Sequence, residues 1–127
     1  MRPGKPLLFG SYKNIPFIGL PGNPVSAFIG FIIFIKPVLM KLLGLRPQDI
    51  FNMTLRLTQD IQSDGRESYV RAVINNQDGE WYGKPVKNQD SGNLLSLVEA
   101  NALIKIPQDI KYLPKDSFVK GCFLDHI

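Results

Sequence analysis

The stretch Gly19-Leu20-Pro21-Gly22-Asn23-Pro24-Val25-Ser26 follows the strand-like run Ile15-Pro16-Phe17-Ile18 and opens the long apolar segment of the chain. It reads as the end of a strand, a tight turn and the start of a helix. Two prolines fix φ on either side of a glycine that reaches backbone conformations closed to other residues, so the turn has little freedom to lose. Asn23 suits an N-cap and Pro24 the first helical position, where a missing N–H costs nothing. A stiff turn with helix N–H groups directed outward forms an anion pocket, to which the Ser26 hydroxyl adds a donor. The same residues also make a well-capped strand-to-helix corner that binds nothing.

Upstream, Pro6 to Tyr12 reads as a short strand and Lys13-Asn14 as a turn, so that Ile15 to Gly19 is its hairpin partner or sheet neighbour. Downstream, the apolar residues from Pro24 to Leu43 cover nearly every helical face, which predicts a helix sandwiched between a sheet and another layer. Pro37 is expected to kink or divide it, leaving Val38 to Leu43 as a final turn or two, and Gly44 with Pro47 is its stop. Val25 to Ile35 is too short to span a bilayer before Lys36 and Pro37 interrupt it, so no membrane span is expected.

The 127 residues are 44% hydrophobic and 20% charged, the composition of a folded globular chain. One cysteine, Cys122, makes no internal disulfide, and one histidine, His126, makes no metal cluster; a reducing, cytoplasmic compartment is expected. Cys122 reads as a small buried hydrophobe and His126 as a solvated end. Met1 is followed by Arg-Pro-Gly-Lys-Pro rather than by a basic segment and apolar core, so no export signal is expected, and the abrupt start leads us to expect a piece cut from a longer protein. The net charge of +4 is unevenly spread: Arg2, Lys5, Lys13, Lys36, Lys41 and Arg46 stand in positions 1–47 with no Asp or Glu, while the remainder holds nine cations against eleven acids. A block of one sign recruits the opposite one, here phosphate or another oxyanion. Nucleic acid is the weaker partner, because the cations are sparse and carry no recognised motif.

After Arg46-Pro47-Gln48-Asp49 the pattern changes to short alternating runs, and the domain boundary is placed there, between 1–47 and 48–127. Phe51 to Thr58, Tyr69 to Ile74, Trp81 to Gly83, Ala102 to Ile106 and Ser117 to Leu124 read as strands. Asp64-Gly65 and Asp78-Gly79 are hairpin-type turn signals, and Leu94 to Glu99 a single helical turn. This spacing predicts a small barrel of roughly five or six strands, with a core of Leu55, Leu57, Val70, Val73, Leu103, Ile104, Phe118 and Phe123.

Arg2-Pro3-Gly4-Lys5-Pro6, then GLPGNPVS at 19–26 and a helix ending at Gly44, resembles the molybdopterin molybdenumtransferase family, called MoeA in bacteria and the gephyrin E domain in animals. Arg66 to Ile74, with Tyr69 and Arg71-Ala72, the run Asn88 to Leu97, and Ala100-Asn101-Ala102 look like strands of that family's C-terminal barrel, so the resemblance spans essentially the whole chain. It implies an α+β fold: the tail of an α/β, MogA-like pterin-binding domain (two strands and a long helix) in 1–47, then a small all-β barrel in 48–127. The implied activity is insertion of molybdate into adenylylated molybdopterin with release of AMP. The residues that match the family's molybdate contacts are Arg2, Lys5, Ser26, Arg71 and Ser91, with Gly4, Pro21, Gly22, Asn23 and Pro24 as the substrate loop. Molybdate is a tetrahedral dianion, for which convergent cations and hydroxyls are the fitting donors. Arg2 stands where a lysine is commonest, keeping the charge but replacing a point donor by a planar fork. The resemblance further implies a homodimer and preceding domains that hold magnesium through acidic residues; Asp64, Glu67 and Asp90 here read as polar loop positions. The chain alone is therefore expected to be inactive. A non-catalytic scaffold or interaction module of gephyrin type is the alternative.

Overall fold

A computed structural model describes residues 8–19, 24–87 and 99–126. Strands β1 (Leu8–Tyr12) and β2 (Ile15–Gly19) pair antiparallel around Lys13 and Asn14, whose φ values of 50° and 63° make the two-residue turn that matches strand twist. Two helical segments follow, α1 (Pro24–Gly30) and α2 (Lys36–Leu42), joined by a π-helical turn at Phe31–Ile35.

The expected division falls just ahead of Pro37, at the π-helical turn Phe31–Ile35, with the proline in the first turn of α2. In a regular α-helix the proline ring would meet the Ile33 carbonyl, and that carbonyl would lose its donor. Here the turn ahead of it widens, the Lys36 N–H reaching back five residues to the Phe31 carbonyl, and α-helical structure resumes through the proline. Gly44 ends the helix as the sequence implied: at φ 76° it donates to the Lys41 carbonyl while Leu45 N–H donates to Met40, a Schellman closure that only a left-handed residue permits.

The remaining strands are β3 (Met53–Leu57), β4 (Ile61–Gln62), β5 (Ser68–Gln77), β6 (Glu80–Pro85), β7 (Ala102–Ile106), β8 (Tyr112–Leu113) and β9 (Phe118–Phe123), with a 3-10 turn at Leu124–His126. Five of them close a barrel in the order β3-β6-β5-β7-β9, β9 returning to pair with β3. Only β3 and β6 run parallel; the other four pairings are antiparallel. Asp78-Gly79 is the hairpin turn between β5 and β6. Asp64-Gly65 turns the chain from β4 into β5, but these strands do not pair with each other: β4 pairs β8 at one side of the barrel. Of the expected helical turn at Leu94 to Glu99, residues 94–98 lie outside the described residues.

The barrel interior is filled by Leu55, Leu57, Ile61, Ala72, Ile74, Ala102, Ile104, Ile106 and Val119, with Val70 and Phe123 packed against them. Two expected core residues are corrected. Val73 (37% exposed) and Phe118 (61%) point outward, because the inward positions of β5 and β9 are the even and odd ones respectively, and Phe118 instead lies under the Arg56 guanidinium, 5.1 Å from its ring centre. Leu103 is buried, but on the outer face. There it joins Ile29, Ile32, Phe51, Tyr69 and Cys122 in a second cluster that fastens the helix to the barrel wall. The sandwiched helix is thus covered on that side, while Phe28, Phe31, Val38, Leu39, Leu42 and Leu43 are exposed.

The β4–β8 flap is held by Asp60, whose carboxylate accepts from the Lys115 N–H (2.6 Å) and the Tyr112 hydroxyl (2.9 Å). These bonds favour the charged form and lower the carboxyl's pKa. A depressed folded-state pKa gives stability that is present above the unfolded value of about 3.9 and is lost as pH falls through the folded one. Thermal unfolding of the chain should therefore shift downward below about pH 4, and Asp60→Asn should flatten that acid limb. An unchanged limb would show that Asp60 does not stabilise the folded chain through the flap.

Candidate anion site at the helix–barrel seam

Ser26 and Arg71 are both buried, the first on the helix and the second on the barrel wall. Ser26 lies in the first turn of α1, one turn before Ile29, and is 3% exposed; Arg71 is 1% exposed. Period-two alternation puts Arg71 on the outer face of β5 with Tyr69, and the register sets it opposite Leu103, which in turn is opposite Cys122. An arginine that strand alternation alone would leave in water is almost fully enclosed, on the face where Tyr69 and Leu103 meet the helix. Pro24 opens α1 as the sequence implied. Arg2, Gly4, Lys5, Pro21, Gly22, Asn23 and Ser91 lie outside the described residues.

Toward the C-terminal half of the helix the seam opens into a cleft of about 370 Å³. Lys36 and Met40 line the helix side, the 47–51 connector forms one end, and Glu67, Tyr69 and Lys105 form the barrel wall. The charges here neutralise one another. The Tyr69 hydroxyl donates to Glu67, Lys105 Nζ lies 3.7 Å from the same carboxylate and 5.8 Å from the Phe51 ring centre, and Phe51 and Tyr69 pack with ring centres 5.5 Å apart. Burial, with the neighbouring Glu67, pushes the Tyr69 phenol well above its ordinary pKa, so it remains a neutral donor. Beside it, burial raises the Cys122 thiol to about 11, helped by the Asp49 charge and opposed by a bond to the Leu103 backbone. A thiol so held is neither a nucleophile nor a ligand near neutral pH. None of these cleft residues stood out in the sequence as a site; the one available signal was that Tyr69 shares the outward parity of Arg71.

Among the described residues no three His, Cys, Asp or Glu side chains converge to hold a metal ion. The described residues do not fit a magnesium site. Nor is any helix among the described residues long and apolar enough to cross a membrane.

Comparison with known proteins agrees with this architecture. Residues 54–117, about half of the chain, match the family model of the MoeA C-terminal region, domain IV. The chain is 38% identical over 109 residues to the molybdenum cofactor synthesis protein cinnamon of Drosophila melanogaster, covering 84% of this chain and 18% of that protein. It is 37% identical over 114 residues to a molybdopterin molybdenumtransferase of Nostoc sp., covering 84% of this chain and 26% of the relative. A solved molybdenum cofactor biosynthesis protein from Pyrococcus furiosus superposes with a TM-score of 0.74 at 30% identity, over 94% of this chain and 41% of that one. The chain thus spans well under half the length of these relatives. By sequence match and barrel alike, it belongs to the family of the MoeA C-terminal region, domain IV, found in molybdenum cofactor biosynthesis proteins.

Proposed function

We propose that this chain is the C-terminal part of a molybdenum insertase, which transfers molybdate into adenylylated molybdopterin, and that its contribution is the molybdate site. The observation that carries the reading is the near-complete burial of Arg71, on the barrel face against which the helix packs, and of Ser26, in the first turn of that helix, on a chain whose relatives include molybdopterin molybdenumtransferases. A guanidinium shielded from water presents a rigid planar fork where Coulomb attraction is less screened, which suits an oxyanion. The Ser26 hydroxyl and the first N–H groups of α1 offer neutral donors to the same kind of ligand. Lys5, Arg2 and Ser91 are assigned to the site by motif, with Gly4, Pro21, Gly22, Asn23 and Pro24 as the loop that shapes it. The absence of Asp and Glu from positions 1–47 supports a dianion there, since a nearby carboxylate would repel it.

In this reading residues 1–47 are the tail of an α/β, MogA-like pterin-binding domain and 48–127 the barrel; the change of pattern at Pro47, six residues before β3, supports the division. Magnesium is assigned to acidic residues of the parent outside this chain. A cytoplasmic parent fits the single cysteine, and a homodimer fits the exposed apolar residues of α2.

Titration calorimetry of the chain with molybdate tests the site. Arg71→Ala and Lys5→Ala should each weaken binding by about 1–3 kcal/mol, the range for hydrogen bonds to charged groups. Unchanged affinity in both would put the anion elsewhere. The chain alone should release no AMP from adenylylated molybdopterin with molybdate and magnesium, because metal-assisted cleavage needs carboxylates held beside the phosphate; stoichiometric AMP would show the metal site to be on this chain. The second reading, a scaffold or interaction module, is favoured by 33% identity to the gephyrin of Dictyostelium discoideum across the whole chain. Complete absence of oxyanion binding would select it.

A further inference from the structure

Strand β5 pairs with β7 from Ser68 to Ala72, where that ladder ends at the Ala72–Ala102 pair, and with β6 only from Ala72 onward. Beyond that point it continues to Gln77 with β6 alone on one side. Asn101 takes over the open side. Its backbone N–H donates to the Ala72 carbonyl (3.1 Å). Its carboxamide then acts as a surrogate peptide: Oδ1 accepts from the Ile74 N–H at 2.7 Å and Nδ2 donates to the Ile74 carbonyl at 3.0 Å. The Asn101 carbonyl in turn accepts from Leu124 N–H (2.8 Å), tying the end of β9 into the same knot. Next to it, the Val86 N–H donates to the Arg71 carbonyl (3.0 Å). The chain therefore leaves β6 and returns to β7 at two successive carbonyls of β5, those of Arg71 and Ala72.

We infer that Asn101 is a positioning residue for Arg71: by continuing the β7 side of the ladder past Ala72 with its side chain, it fixes the β5 backbone from which the buried guanidinium projects. The inference rests on the reading of Arg71 as an anion contact. A side chain that is 1% exposed has no room to correct a displaced backbone by changing rotamer, so a shift of β5 moves the guanidinium with it. No other residue type of this size matches both partners, because a peptide-like pair needs one donor and one acceptor in a fixed plane.

The test is a double-mutant cycle read by molybdate calorimetry on the full 127-residue chain: wild type, Arg71→Ala, Asn101→Ala and the two combined. Asn101→Ala should weaken molybdate binding about tenfold, as loss of an orienting partner does, on the wild-type background and have no effect once Arg71 is alanine. A lower melting temperature with unchanged affinity would overturn the inference, leaving Asn101 a purely structural clamp. Equal losses on both backgrounds would overturn it too, since Asn101 would then act on something other than Arg71. If Arg71→Ala binds molybdate like the wild type, the anion-site reading fails and this inference with it, a result distinct from the other two. Should Asn101→Ala not fold, Asn101→Asp, which keeps the acceptor for Ile74 N–H but loses the donor, carries the same comparison.

Discussion

Gly121→Ala is expected to destabilise the protein by about 3 kcal/mol, at the upper end of overpacking costs, and Gly121→Val to abolish cooperative unfolding. In an ordinary strand, alanine for glycine would be neutral or helpful, because glycine loses more freedom on folding. Gly121 has no positive φ to explain its presence; the requirement is space. A Cβ built there would lie 2.6 Å from Leu55 Cδ1 and 2.8 Å from the Leu103 carbonyl oxygen. The leucine is fully buried and the carbonyl belongs to the neighbouring strand, so neither retreats without disturbing the barrel. Denaturant unfolding followed by Trp81 fluorescence measures the cost. A loss under 1 kcal/mol would mean that β9 can slide outward and that the barrel wall is softer than its packing implies.

Ile29→Asn is expected to detach the helix while leaving the barrel closed. Ile29 is fully buried in the seam with Ile32, Phe51, Tyr69, Leu103 and Cys122. Truncating such a side chain costs 2–5 kcal/mol, and an amide without partners adds about 1–3 more. The barrel interior is built from a separate set of residues, so the loss falls on docking rather than on closure. Hydrogen exchange should show amides of α1 and α2 losing protection while those of β5, β7 and β9 keep it. Simultaneous loss in both would show that seam and barrel unfold as one unit, with total destabilisation read from the shared transition.

What could be read from the sequence follows from which interactions are local. Lys13-Asn14, Asp78-Gly79 and Gly44 were legible because turn chemistry is decided by the φ of one or two residues. Strand positions were legible too, but the phase of β5 was not. Val73 shares the outward parity of Arg71, but the buried Tyr69 on that same parity, packed against the helix, makes the outer face look like core, and Val73 beyond it faces water. Phe118 misled for a similar reason: it is apolar at a strand start, yet outward and exposed beside Arg56. Pro37 was read through the α-helical ladder alone, and a widened turn is the solution that reading omits. Strand order, including the parallel pairing of β3 with β6, depends on closure of the barrel and leaves no local trace. At the candidate site, residue type and motif named Ser26 and Arg71; their burial is a tertiary fact. Asn101 entered only as part of a resemblance, since an asparagine that completes another strand's ladder has no pattern of its own.

Barrel closure also sets an order of events for a chain emerging from the ribosome. Strand β3 finds its antiparallel neighbour only in β9, joining Met53 to Gly121, and β7 needs β9 on its second side as well. Until residue 123 has been synthesised and released from the exit tunnel, β3 and β7 each present an unpaired edge and the apolar interior lies open on one flank. Contacts of such wide sequence separation form slowly. The nascent chain consequently passes through an open-sheet stage that chaperones are built to shield, and a ribosome stalled within β9 would hold it there, with its edges available to neighbouring chains.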